Sequence, residues 1–278
     1  MLEIRNLSKS YGDTRAIGDL SFTIEEKEFV CVVGPSGCGK TTLLKCMSGL
    51  LPPTSGEVLL HDKPVTRPPE EMALVFQEYS RSLMPWMSVR NNVTLPLRHK
   101  KLDKAERSRL VEEAVEAVGL SGNLDRYPWQ LSGGMQQRVA IARALAYQPQ
   151  ILLMDEPFAS VDAQTRGDLE DLILRVRQQF GVTVLFVTHD IDESVYMADR
   201  IIVLTPSPTE VREVLSVDLP HPRDQVDTKE LPEFARLRAH VYRLIKREQS
   251  TGGGEDATPD SGARDAGGDP AGRDRVRG

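Results

Sequence analysis

In Phe29-Val30-Cys31-Val32-Val33-Gly34-Pro35-Ser36-Gly37-Cys38-Gly39-Lys40-Thr41-Thr42 an apolar run gives way to a glycine-rich turn. Five consecutive apolar residues suit a strand covered on both faces, as in a parallel sheet. Residues 34–41 then match G-x-x-x-x-G-K-[ST], and a helix is expected from about Lys40 to Ser48, where Leu50-Leu51-Pro52-Pro53 breaks it. In such a loop the glycines let the backbone curl into a nest of N–H groups aimed at phosphate oxygens. The helix N-terminus adds its positive end to the same place. Gly34, Pro35, Ser36, Gly37, Cys38 and Gly39 are expected to form the nest. Lys40 neutralises the β- and γ-phosphates, Thr41 ligates Mg²⁺ through its hydroxyl, and Thr42 donates to an adjacent phosphate. The motif points to a nucleoside triphosphate and leaves the chemistry open.

Outward from this turn the pattern divides. Leu2, Ile4 and Leu7 precede a Ser10-Tyr11-Gly12-Asp13 turn, and Leu20, Phe22 and Ile24 alternate with polar neighbours, which predicts an antiparallel β edge at the N-terminus. Residues 58–60 and 73–76 are further strand candidates. From 86 to 148 the strand signal vanishes, and two charged, Ala/Leu/Val-rich segments (103–118 and 132–147) have helical spacing. The β/α pattern returns with a strand at 150–155, a helix at 162–180, a strand at 183–187, a helix at 191–198 and a strand at 200–204. Such alternation implies a parallel sheet. The expected fold class is therefore α/β: a P-loop NTPase core with a parallel sheet, an antiparallel edge and an inserted α-helical subdomain. Residues 1–85 and 149–215 form the core with its β subdomain, 86–148 the insert, and 216–248 a C-terminal helical extension. From Gln249 onward there are eight glycines, and Val276 is the only large apolar side chain. Too little surface can be buried there to offset ordering entropy, so 249–278 reads as a disordered tail.

Ile151-Leu152-Leu153-Met154-Asp155-Glu156 is an apolar strand ending in two carboxylates. In a P-loop fold this strand is expected beside the phosphate loop, with its end facing metal and γ-phosphate. Asp155 would hold Mg²⁺ through water, and Glu156 would polarise the attacking water.

Leu131-Ser132-Gly133-Gly134-Met135-Gln136-Gln137-Arg138 opens a helix shortly before the acidic strand. It resembles the LSGGQ signature of ABC ATPases, with Met135 in place of the usual Gln. Between a P-loop and an Asp-Glu-Pro strand end, this resemblance implies a RecA-like ABC nucleotide-binding core that hydrolyses ATP. Ser132 and the Gly133 and Gly134 backbone at a helix N-terminus would form a second anion site. The resemblance covers about residues 1–215 and implies further roles. Tyr11 stacks on adenine, or else is a plain turn aromatic. Gln77 is the Q-loop glutamine that senses Mg²⁺ and the membrane partner. Asp162 in Ser160-Val161-Asp162 takes the D-loop position. His189 is the switch histidine that hydrogen-bonds the γ-phosphate. In this family the signature loop of one subunit completes the phosphate site of another, and one copy of each motif here implies a homodimer around two MgATP. Leu83, Met84, Trp86 and Met87 lie on a loop within 77–89 that reads either as local packing or as a dock for a transmembrane permease helix.

Composition sets the outer limits. The chain has 278 residues, room for about two compact domains. Lys+Arg number 35 against 41 Asp+Glu, a net −6 that argues against a nucleic-acid partner. Three cysteines without a Cys-x-x-Cys pair read as reduced thiols and not a zinc site. Met1-Leu2-Glu3-Ile4-Arg5 has no apolar signal core, and no stretch approaches the ~18 apolar residues of a membrane span. The expected place is peripheral, on the cytoplasmic face of the inner membrane, in a complex with permease subunits and a periplasmic or extracellular substrate-binding protein. The alternative is a soluble ABC ATPase acting in cofactor assembly. The 75–86 stretch and Leu219-Pro220-His221-Pro222-Arg223-Asp224 are similar to nitrate/sulfonate/taurine-type importer ATPases. His221 departs from the Leu-Pro-Arg-Pro-Arg often found there.

Overall fold

The computed structural model describes residues 1–78 and 82–251. The expected tail, from 252 on, and residues 79–81 of the expected docking loop lie outside the described residues.

Two sheets carry the chain. The first is antiparallel, with β1 (Leu2–Tyr11), β2 (Thr14–Ile24), β4 (Ser55–Leu60) and β5 (Lys63–Pro64) in the order β2-β1-β4-β5. The second has the order β10-β9-β3-β8-β7-β6, built from β3 (Phe29–Val33), β6 (Met72–Val75), β7 (Ile151–Asp155), β8 (Thr183–Thr188), β9 (Arg200–Leu204) and β10 (Val211–Ser216). All its neighbours are parallel except β10, which runs antiparallel to β9 on the outer edge. β10 went unread in the sequence because Val-Arg-Glu-Val-Leu-Ser lacks apolar/polar alternation and no residue of the strand is fully buried.

The apolar run of β3 has a two-sided explanation. Phe29, Cys31 and Val33 pack into one core, while Val30 and Val32 pack into the other. The second core is closed by α1 (Lys40–Met47) and the antiparallel sheet. The first is closed by the helices: α2 (Val89–Thr94), α3 (Lys104–Ala117), α4 (Gly133–Ala146), α5 (Ala163–Phe180) and α6 (Ile191–Met197). Each fully buried Val or Leu contributes roughly 1.5–3 kcal/mol, so strands with no polar face are what such a sandwich of layers selects.

The helix bounds follow local chemistry. Asp103, Ser132, Asp162 and Asp190 each cap a helix by accepting from a backbone N–H. Gly181, at φ 62°, ends α5. At the C-terminus, α7 (Asp227–Glu230) precedes α8 (Pro232–Thr251), which runs past the expected end at 248 and buries Phe234, Val241 and Leu244. No described helix is long and apolar enough to cross a membrane.

β7 is separated from β3 in the sheet by β8. The acidic strand still meets the phosphate loop because α1 crosses over β8 to pack on β7.

Candidate functional site

The loop between β3 and α1 has the backbone that its glycines permit. Gly37 and Gly39 stand at φ 77° and 104°, where a Cβ-bearing residue is strained. The Thr209 hydroxyl donates to the Cys38 carbonyl, while the Thr209 backbone pairs with Gly18 N (2.8 Å) and Ala16 O (3.2 Å). The turn between β9 and β10 thus pins the loop to β2. Thr209 carried no sequence signal, since its role comes from contacts with residues about 170 and 190 positions away.

Lys40 is buried, a rare place for a lysine without partners. Its Nζ donates to the carbonyls of Gly34 (2.9 Å) and Pro35 (3.0 Å) and stands 3.8 Å from Glu156 Oε1. Glu156 Oε2 accepts from Gln77 Nε2 (3.3 Å) and lies 3.0 Å from His189 Nδ1. Glu156 itself holds φ 42°, a strained backbone for a non-glycine that costs on the order of 1–3 kcal/mol and clusters at functional sites. Lys40, Gln77, Glu156 and His189 therefore converge from the ends of four parallel strands, the edge where open α/β sheets place ligands.

Asp155 is buried at 5% exposure, and its Oδ1 has no hydrogen-bond partner. Burial raises its pKa, opposed by a hydrogen bond from Thr41. An orphaned carboxylate oxygen beside a threonine hydroxyl is a donor set suited to a hard divalent cation. Mg²⁺ in particular binds through one or two carboxylates, substrate phosphates and retained waters. The three cysteines are buried and free, and burial raises the pKa of each thiol.

Other expected residues stand apart from this cluster. Ser132 caps α4 by accepting from Met135 N (3.3 Å). A Cβ on Gly134 would come within 2.5 Å of Thr165 Cγ2. Thr165 is itself held by Asp162, through its N–H (3.0 Å) and its hydroxyl (2.7 Å), bonds that hold the Asp162 carboxyl below its usual range. Asp162 is thus the cap of its own helix, and Thr165 ties it to Gly134. Among the described residues no hydrogen bond or ion pair joins Ser132, Gly133, Gly134 or Asp162 to the phosphate loop. Tyr11 is half exposed, with Lys9 Nζ 5.5 Å from its ring centroid. The docking loop divides: Leu83 is core at 2% exposure, the local-packing alternative, whereas Trp86 is 70% exposed. Asn92 locks the loop, accepting from Met84 N (2.8 Å) and donating to the carbonyls of Met84 (3.1 Å) and Met87 (3.0 Å).

A second group was missed. Behind His189, Thr188 donates to Glu193 (2.5 Å), and Arg166 reaches both Asp190 (3.0 Å) and Glu193 (3.6 Å). The Asp190-x-x-Glu193 spacing after a strand was a legible capping signal.

Compared with known proteins, residues 17–159 match the family described as "ABC transporter". The chain belongs to that family. An uncharacterized ABC transporter ATP-binding protein of Methanocaldococcus jannaschii is 46% identical over 89% of this chain and 92% of its own. The nitrate import ATP-binding protein NrtC of Synechococcus elongatus is 42% identical over 86% of this chain, which spans only 36% of that longer protein. Among solved structures, a bacterial ABC transporter cassette determined as a dimer superposes with a TM-score of 0.68 at 33% identity, over 78% of this chain and 99% of that one. The same cassette has been solved bound to ADP and Pi after hydrolysis. This ABC protein is an ATP-binding subunit of the ABC ATPase class, with the α/β P-loop fold expected from its sequence.

Proposed function

We propose that this ABC ATPase is the motor subunit of an importer, in which two copies close around two MgATP and drive a separate transmembrane permease. The observation that carries the reading is the half-site: Lys40, Gln77, Glu156 and His189 converge, while Ser132, Gly133 and Gly134 make no bond to them. A half-site of this kind is completed by a second copy of the chain.

In the closed pair, residues 34–39 cradle the phosphates and Lys40 moves from the loop carbonyls onto the β- and γ-oxygens, with Thr42 donating beside it. Tyr11 stacks on adenine. Thr41, Gln77 and Asp155 would hold Mg²⁺, which would supply neutralisation of phosphate charge. Glu156 polarises the attacking water, and His189 holds Glu156 and the γ-phosphate in register. Ser132 and the Gly133/Gly134 backbone of the second copy meet the γ-phosphate at a helix N-terminus. Charge-assisted contacts from both sides make the triphosphate the bridge between copies, and its hydrolysis releases them.

The exposed Trp86 after the Q-loop is suited to hold a permease helix, which would place the motor peripherally at the cytoplasmic membrane face. Relatives named for nitrate and bicarbonate transport support a small anion as cargo, delivered by a separate binding protein. The test is Glu156→Gln. ATP should drive the variant into a stable dimer on sedimentation, with turnover reduced by at least about a hundredfold. Full hydrolysis, or no nucleotide-dependent pairing, overturns the assignment.

A further inference from the structure

A cleft of about 880 Å³ opens at the opposite end of the sheet from the phosphate loop. Lys27, just before β3, and Gly181, just before β8, lie on its wall, so it sits at the amino-terminal edge of the parallel strands. Five of its lining side chains are basic: Lys27, Arg175, Arg177, His221 and Arg223.

Two of the arginines are fixed. Arg177 grips both oxygens of Asp199 and donates to the Lys27 carbonyl (2.8 Å), while Asp199 also accepts from Phe29 N (2.9 Å). Arg223 donates to the carbonyls of Tyr196 (2.9 Å) and Ala198 (3.1 Å), and its buried Nε has no hydrogen-bond partner. Asp171 is engaged by the Tyr196 hydroxyl (2.6 Å) and Gln225 (3.0 Å). Lys27 and Arg175, exposed at the rim, have no anionic partner among the described residues. Four permanent cations thus face two committed carboxylates, an excess of two positive charges before His221 is counted.

We propose that this cleft binds a soluble, multiply charged oxyanion of the phosphate class, at a site separate from the nucleotide site. Its size suits a small phosphorylated metabolite, and arginine forks match phosphate oxygens in geometry as well as charge. The state of His221 fits. Burial and then the Arg223 charge hold its pKa down, against the opposing pull of Asp199. Arg177 adds to the repulsion. An anion between His221 and these cations offsets the repulsion and moves the His221 pKa up.

The test uses the full chain saturated with ADP in excess Mg²⁺, which keeps the nucleotide site filled. Fructose 1,6-bisphosphate is titrated as the probe by calorimetry, and the His221 C2–H resonance is followed, assigned with His221→Gln. Saturable binding is expected, with an upward shift of the His221 pKa. A Lys27→Glu/Arg175→Glu double variant, altered only at the exposed rim, should bind at least about tenfold more weakly. Any one of three results overturns the proposal: no binding at millimolar probe, equal affinity in the double variant, or an unmoved His221 resonance. So does capture of phosphatidylglycerol vesicles by a chain that ignores the bisphosphate.

Discussion

Glu193 is a carboxylic acid almost out of reach of water, 5% exposed and directly behind the residues that hold His189. Burial lifts its pKa to about 7, against a hydrogen bond from Thr188. The folded chain therefore takes a proton there more readily than the unfolded chain. This group's stabilising contribution is complete below about pH 4.5 and is lost as pH rises through about 7. Ionising a carboxyl displaced that far from its ordinary value removes stability on the order of 3 kcal/mol. Glu193→Gln keeps the acceptor for Thr188 and removes the titration. Thermal melts should therefore match the parent near pH 5 and lie several degrees above it at pH 8. Parallel melting curves across that range would show that burial does not set the ionisation. At this scale the phosphate loop was legible, because its function is local: successive backbone N–H groups and one lysine. Thr209 was not, because it acts through a partner 171 positions away; for Glu193 the cap spacing was legible, but its burial was not.

At the scale of elements, the loop from 82 to 88 shows how a sequence reading divides. Leu83 and Trp86 looked alike as apolar loop residues, yet one is core and the other lies open. What separates them is the buried Asn92, whose side chain fixes the carbonyls of Met84 and Met87 and so turns Trp86 outward. Trp86→Ala should leave the ATPase rate of the purified chain within about twofold. It should reduce recovery of the membrane partner in pull-downs from detergent-solubilised membranes at least about tenfold, as loss of an interface aromatic anchor does. Equal recovery would move the dock elsewhere. The helices Lys104–Ala117, Gly133–Ala146, Ala163–Phe180 and Ile191–Met197 were legible to within a residue or two at their ends because the caps Asp103, Ser132, Asp162 and Asp190 are local signals. The half-exposed β10 had no such signal.

At the scale of the whole molecule, the two halves of the chemistry sit on one chain without bonding to each other. Gly134→Asp tests whether they meet across two chains. A Cβ there meets Thr165 Cγ2 at 2.5 Å and displaces Thr165 from its ties to Asp162, and the carboxylate adds negative charge to the loop proposed to meet the γ-phosphate. Binding of ATP to the single chain should stay within a few-fold of the parent. ATP-driven pairing, read by sedimentation, and hydrolysis should both fall about a hundredfold or more, as losses of preorganised anion-stabilising groups do. Unchanged pairing would mean that the signature loop lies outside the interface.

The sequence by itself determined the α/β class, the phosphate loop and the membership of an ATPase family. Each rests on short-range regularities: a glycine pattern, an apolar run, a cap. Only the tertiary structure decided that β8 stands between β3 and the acidic strand, and that α1 reaches β7 to set Thr41 against Asp155. It alone brought Lys27, Arg175 and Arg223 around one cleft. Strand order and charge clustering depend on which distant segments pack together, and packing energy is shared among residues that no local pattern connects.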